Sequence, residues 1–180
     1  MGHVEKPQTS LSDNPSSLLC AVFERIAQTR MQGLPFLNPA LCVEAVGFRP
    51  WKEFWLGVMV TPWMMNLMLL PREMESWPMV ARGERQDYPF PSGNYDFIMA
   101  HDDALGEYMM CSLFSPTQQF GDHETARQTA EFVLKALFEE DASEGEEKPR
   151  PTLQEKLMMP LSKRDFLRGR FLTGRKETSE

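Results

Sequence analysis

The sequence predicts an α+β fold in which two main helices pack on one antiparallel sheet. Two amphipathic segments, at about residues 15–32 and 122–140, bracket a run of short apolar segments. These short segments end at prolines or join through a tight turn. They do not alternate with helices, as the strands of a parallel sheet would. The chain has 180 residues, which suits one domain with a single core plus tails.

The first helix is indicated by Asn14-Pro15, which is an N-cap residue followed by proline at the first helical position. Apolar residues then recur at helical spacing as far as Met31, and Gly33 is a stop signal. The polar residues 1–13 are expected to be disordered. The predicted domain therefore spans residues 14–140.

Strands are predicted at 43–48, 54–61, 66–70, 94–101 and 107–115. The last two form a hairpin, because Tyr95, Phe97 and Met99 alternate along the first arm and the connection 102–106 has turn chemistry. Residues 71–91 contain four prolines and are predicted to form a long loop.

The second helix is the clearest local pattern in the chain. Asp122 is its predicted N-cap, and an apolar stripe runs along one side from Ala126 to Phe138. Charges of alternating sign follow the opposite side at four-residue spacing, which is typical of a docked surface helix. Residues 141–180 are predicted to be a charged linker and a flexible basic tail.

The charge is divided between an acidic body and a basic tail. Residues 1–147 hold 10 basic and 22 acidic side chains, a balance of −12, and residues 148–180 hold 9 and 4, a balance of +5. The acidic body disfavours nucleic-acid binding, which needs clustered Lys and Arg.

No segment approaches the roughly 20 apolar residues of a membrane helix, and the N-terminus lacks an export signal. The three cysteines form no CxxC pair, so we expect reduced thiols in the cytoplasm.

Residues with catalytic or metal-binding chemistry are few and scattered. His101 beside Asp102 and Asp103 fits a polar turn better than an acid/base cluster, and Cys111 within a strand fits a buried small hydrophobe. No nucleotide-binding or nucleophile motif is present. The sequence therefore predicts no enzyme, cofactor or metal site. The alternative is a small metal- or cofactor-binding accessory or electron-transfer protein that uses Cys42, His101 or Cys111.

Tryptophan and methionine are concentrated between residues 51 and 79. Trp63, Met64 and Met65 follow Thr61-Pro62, where a strand should stop and turn. Large apolar side chains at a turn suit a binding patch, although they could also pack in the core. We therefore predict partner binding by Trp63, Met64, Met65 and Trp77.

Two stretches of the chain carry a family resemblance. Residues 55–64 read W-L-G-V-M-V-T-P-W-M, and residues 106–116 read G-E-Y-M-M-C-S-L-F-S-P. The first helix and L-P-F-L-N-P at 34–39 also fit. Over about residues 16–140 the chain resembles the NiFe-hydrogenase assembly chaperones of the HybE/HupJ kind.

The resemblance implies a non-enzymatic protein that helps a membrane-bound uptake hydrogenase to mature. Its expected partners are precursors of the small or large hydrogenase subunit, bound in the cytoplasm before export. The ligand would include the twin-arginine signal of the small subunit. A twin-arginine signal has a basic start followed by an apolar helix. An acidic body with a turn rich in Met and Trp complements both parts.

The basic tail contains S-K-R-D-F-L-R at residues 162–168, close to the twin-arginine consensus S-R-R-x-F-L-K. It lies at the wrong end of the chain for an export signal and no apolar helix follows it. A chance basic tail is one interpretation. The other is that Lys163, Arg164, Phe166 and Arg168 imitate the signal and take part in partner binding.

Overall fold

In the described part of the chain, six strands form a single antiparallel sheet with one helix on each face. In this computed structural model, residues 13–73 and 81–139 are described. The elements are α1 (Ser16–Gln28), β1 (Glu44–Trp51), β2 (Phe54–Val60), β3 (Met65–Pro71), β4 (Arg85–Phe90), β5 (Gly93–Asp102), β6 (Gly106–Phe114) and α2 (His123–Ala136). The strand order is β1-β2-β3-β6-β5-β4, and every pairing is antiparallel. The predicted α+β architecture is confirmed.

Both predicted helices are present, although each is shorter than its sequence pattern. α1 ends at Gln28, after which the Met31 N–H closes a wider turn onto the Ile26 carbonyl oxygen at 3.1 Å. The Asp122 side chain accepts from the Thr125 N–H at 2.7 Å, which confirms the predicted N-cap of α2. The expected disorder of residues 1–13 and flexibility of the tail fall almost entirely outside the described residues.

The prediction of one long loop over residues 71–91 is wrong, because β4 lies within it. β4 is an edge strand, so Pro89 removes no hydrogen bond that the sheet needs. Tyr88 and Phe90 point into the core, while the alternate residues Asp87 and Pro89 are exposed. This alternation over six residues was hidden by the prolines around it.

The sheet has an inner face under α2 and an outer face under α1. On the inner face, Leu56 and Val58 of β2 belong to the same core as Ala130 and Val133 of α2. On the outer face, a second core joins the buried residues of α1 to the neighbouring strands, with members Leu19, Val22, Phe23, Phe48, Trp55, Met59, Met68, Leu70, Leu105 and Tyr108. β2 and β3 are therefore buried on both sides.

The sheet curls around the inner core until its two edge strands meet through aromatic side chains. Trp51 of β1 stacks on Phe90 of β4 with ring centroids 4.3 Å apart. Phe54 and Tyr88 meet edge to face at 5.6 Å. Among the described residues, β1 and β4 share no backbone ladder, so these rings help to close the inner core at this side.

Candidate partner-binding surface

The turn after β2 is locked by its threonine. The Thr61 hydroxyl accepts from the Met64 N–H at 3.0 Å and from the Trp63 N–H at 3.3 Å, and it donates to the Met64 carbonyl oxygen at 3.0 Å. The Thr61 N–H donates to the same carbonyl at 2.9 Å. Thr61 is fully buried, so the turn holds Trp63 and Met64 in one arrangement.

A buried polar network ties this turn to two other loops. The Pro62 carbonyl oxygen accepts from the Asn38 N–H at 2.7 Å and from the Thr117 hydroxyl at 2.8 Å. The Asn38 amide Nδ2 donates to the carbonyl oxygens of Thr117 and Phe120, both at 2.8 Å. Its Oδ1 accepts from the Ala40 N–H at 3.0 Å. A fully satisfied buried network of this kind makes the corner rigid.

Trp63 and Met64 lie at the surface of the outer core. Both are half-buried and pack against the cluster beneath α1. Met65, in contrast, is 0% exposed and belongs to the inner core. The expected exposure of Met65 is therefore wrong, because β3 begins at this residue and turns its side chain inward.

Phe36 adds a side chain that the sequence analysis did not single out. It is 42% exposed, the one large hydrophobic residue in the described part of the chain that reaches this level. Its carbonyl oxygen accepts from the Gln118 Nε2 at 2.7 Å, and Asn38 anchors the chain two residues later. We call Phe36, Trp63 and Met64, which these loops bring to the same end of the sheet, the apolar corner. Phe36 lies in the L-P-F-L-N-P segment, and its proline-flanked position was the available signal.

A second feature that sequence reasoning missed lies next to Met64. Asn66 of β3 is buried, and its Nδ2 donates to the Met64 sulfur at 3.1 Å and to the Met110 sulfur at 3.5 Å. Its Oδ1 is buried and has no hydrogen-bond partner within the described residues. An asparagine in the middle of an apolar run gives no local signal for these contacts.

The remaining predicted site residues lie outside the described residues. These are Trp77, which falls within 74–80, and the tail residues Lys163, Arg164, Phe166 and Arg168. Their roles in binding stay predictions.

The cysteines and histidines form no centre of metal or nucleophilic chemistry in the described ranges. Burial raises the pKa of the Cys111 thiol to about 12, so this cysteine stays protonated at neutral pH, and its predicted burial is confirmed. Cys42 is an exposed residue. Its thiol pKa is nevertheless raised, mainly because the thiol is partly desolvated and to a smaller extent because the negative charge of Glu44 is nearby. Among residues 13–73 and 81–139, no three His, Cys, Asp or Glu side chains are grouped so as to hold a metal ion.

His123 links two elements of the fold through its ring nitrogens. Its Nδ1 accepts from the Cys42 N–H at 3.3 Å, and its Nε2 lies 2.6 Å from a Glu44 carboxylate oxygen. The ring thus joins the start of α2 to the chain entering β1.

None of the described helices has the length and hydrophobicity needed to span a bilayer.

This chain is similar to known proteins in both sequence and fold. The family described as NiFe-hydrogenase assembly, chaperone, HybE matches residues 14–169. A hydrogenase expression/formation protein HupJ of Bradyrhizobium diazoefficiens is 38% identical over 153 residues, which cover 84% of this chain and 86% of that protein.

The solution structure of HybE from Escherichia coli covers 79% of this chain and 94% of its own. Its TM-score is 0.59 at 23% identity, which supports the shared fold alone.

A protein named probable rubredoxin HupJ, from Rhodobacter capsulatus, is 40% identical over 127 residues. These cover 71% of this chain but only 45% of that protein, so this chain spans less than half of its length. By the family match over most of its length, the chain belongs to the HybE family of NiFe-hydrogenase assembly chaperones.

Proposed function

We propose that this protein is a non-enzymatic, cytoplasmic chaperone that binds hydrogenase subunit precursors before export, including the twin-arginine signal of the small subunit. The observation that supports it best is the apolar corner. Thr61 and Asn38 hold Trp63 and Met64 in a fixed arrangement before any partner arrives. A preformed apolar patch loses little entropy on binding, which is how a small surface gains affinity.

The charge of the domain supports the same class of ligand. The described residues carry 9 Lys or Arg and 15 Asp or Glu, a balance of −6. A ligand that starts with arginines and continues as an apolar segment would meet opposite charge and an apolar contact on one domain. Steering by exposed charges weakens as salt rises, so the rate of binding should fall with ionic strength.

The direct test measures binding of the full-length protein to the small-subunit precursor and to its synthetic signal peptide by titration calorimetry. We expect both to bind, and we expect a peptide with the two arginines replaced by glutamine to bind at least several-fold more weakly. The matched control is the precursor without its signal. Equal binding of that truncated precursor would show that the mature subunit, not the signal, is recognised.

The basic tail provides a further prediction. If residues 162–168 imitate a twin-arginine signal, they compete for the same site, and the short linker gives them a high local concentration. Deleting residues 150–180 should then tighten binding of the signal peptide several-fold at low salt, measured by calorimetry. A full-length variant with Lys163, Arg164 and Arg168 changed to glutamine should behave like the deletion. Weaker binding in either variant would instead make the tail part of the partner interface.

A further inference from the structure

Among the described elements, α1 crosses the outer face of the sheet from β1 to the β5–β6 turn, where Arg25 donates to Asp102 at 3.0 Å, and Ile98 of β5 lies outside both hydrophobic cores. α1 lies over β1, and its buried residues pack with Phe48 and Trp55. On β5 and β6, Ile98 and Met110 stand opposite each other and are half-buried. Met110 packs at the border of the outer core, whereas Ile98 belongs to neither core, and α2 packs on the inner face. We call Met64, Asn66, Ile98 and Met110 the methionine face.

Asn66 is a costly residue at the base of this face. It is 4% exposed, between neighbours Met65 and Leu67 that are 0% exposed. Within the described residues, the acceptors of its Nδ2 are two thioether sulfurs, and sulfur accepts hydrogen bonds weakly. Its Oδ1 is buried without a partner among the described residues, which costs folding free energy. An apolar residue would fill the same place in β3 without that cost.

Flexible methionine side chains flank the Asn66 amide group on its Nδ2 side. Met64 and Met110 are half-buried, unbranched and flexible, so they can shift and let a hydrogen-bond donor approach Oδ1. Their apolar atoms would then pack along the segment that brings the donor. The face thus suits an apolar segment that carries an N–H or O–H group.

The charges beside the face favour a basic end on that segment. Asp96 of β5 pairs with Asp87 of β4 in the register, and Asp87 is exposed. Arg85 forms an ion pair with Asp96, whereas no cation among the described residues pairs with Asp87. An arginine of the ligand could therefore pair with Asp87 while the apolar part covers Met110 and Ile98.

We propose that the methionine face is the binding site for an apolar segment of a partner protein that has basic residues at one end. Asn66 Oδ1 accepts a hydrogen bond from this segment. This inference rests on the proposed function and adds the surface and the contact. Asn66 is then a positioning and specificity residue that lowers the stability of the free domain and increases that of the complex.

The variant Asn66→Leu separates the two effects. It should raise the thermal midpoint of the full-length protein, because a buried unpaired group is removed. It should also weaken binding of the small-subunit signal peptide at least tenfold in calorimetry. Met110→Ser should weaken binding similarly, while Met31→Ser, at a half-buried methionine outside the face, should leave the affinity unchanged. Unchanged affinity in Asn66→Leu would overturn the proposal.

Amide NMR of the full-length protein with the same peptide distinguishes this proposal from the proposed function. Shifts centred on Asn66, Ile98 and Met110 support the methionine face. Binding with shifts on the inner side or α2 overturns it and leaves the proposed function standing, whereas no binding at all overturns both. If these resonances shift on deleting residues 150–180 without peptide, the occupant is the chain's own tail, and the proposed partner is wrong.

Discussion

Replacing Trp63 with alanine is expected to weaken binding of the small-subunit precursor by about 2 kcal/mol, roughly 30-fold in Kd, while the domain stays folded. Tryptophan supplies the largest apolar contact of any side chain, and the locked Thr61–Met64 turn holds this one at the surface of the outer core. The measurement is titration calorimetry, with urea unfolding of the same samples to follow stability. Trp63→Phe should lose less affinity, because it keeps an aromatic ring at the corner.

The opposite pattern would assign Trp63 to the core. If Trp63→Ala lowers the free energy of unfolding by several kcal/mol and its folded fraction binds with normal affinity, the side chain only packs beneath α1. Phe36→Ala offers a comparison, since this more exposed residue of the apolar corner should affect binding with almost no change in stability.

Replacing Asn38 with alanine is expected to lower the free energy of unfolding by about 3 kcal/mol. Asn38 is 5% exposed, and its side chain serves three backbone groups, the carbonyls of Thr117 and Phe120 and the N–H of Ala40. Alanine leaves all three groups without their partner, and the two carbonyl groups lose theirs in a buried place. Urea unfolding monitored by tryptophan fluorescence measures the loss.

Gln118→Ala is the matched control for that variant. Gln118 also donates from a side-chain amide to a loop carbonyl, that of Phe36, but the bond is exposed. Its loss should change the unfolding free energy by less than about 0.5 kcal/mol. Equal effects of the two substitutions would show that burial of the Asn38 network does not matter for stability.

The strong periodic elements of this fold were predictable, and the edge strand was not. The stripe from Ala126 to Phe138 and the alternation of Tyr95, Phe97 and Met99 each recur often enough to define their element. β4 offers only Tyr88 and Phe90 inside a proline-rich stretch. Its place is decided by pairing with β5 and by contacts with Trp51 and Phe54, which lie far away in sequence.

The candidate site was predictable at the level of the turn but not of its supports. Thr61-Pro62 marks a corner, yet a shift of one residue in the start of β3 decides which of Met64 and Met65 faces inward. Asn38 and Asn66 have no local pattern that reveals their roles. Asn38 acts through loops that meet only after folding, and Asn66 acts through Met110 on a neighbouring strand.

The prolines on the two edge strands have a consequence for self-association. Pro50 lies in β1 and Pro89 in β4, so each open edge of the sheet lacks an amide proton that a strand from another copy would need. A protein that keeps apolar side chains ready for a client is at risk of polymerising by edge-to-edge strand addition. Proline at both edges lowers this risk without covering the apolar corner, so the corner can stay exposed for the proposed partner while the edges of the sheet resist strand addition.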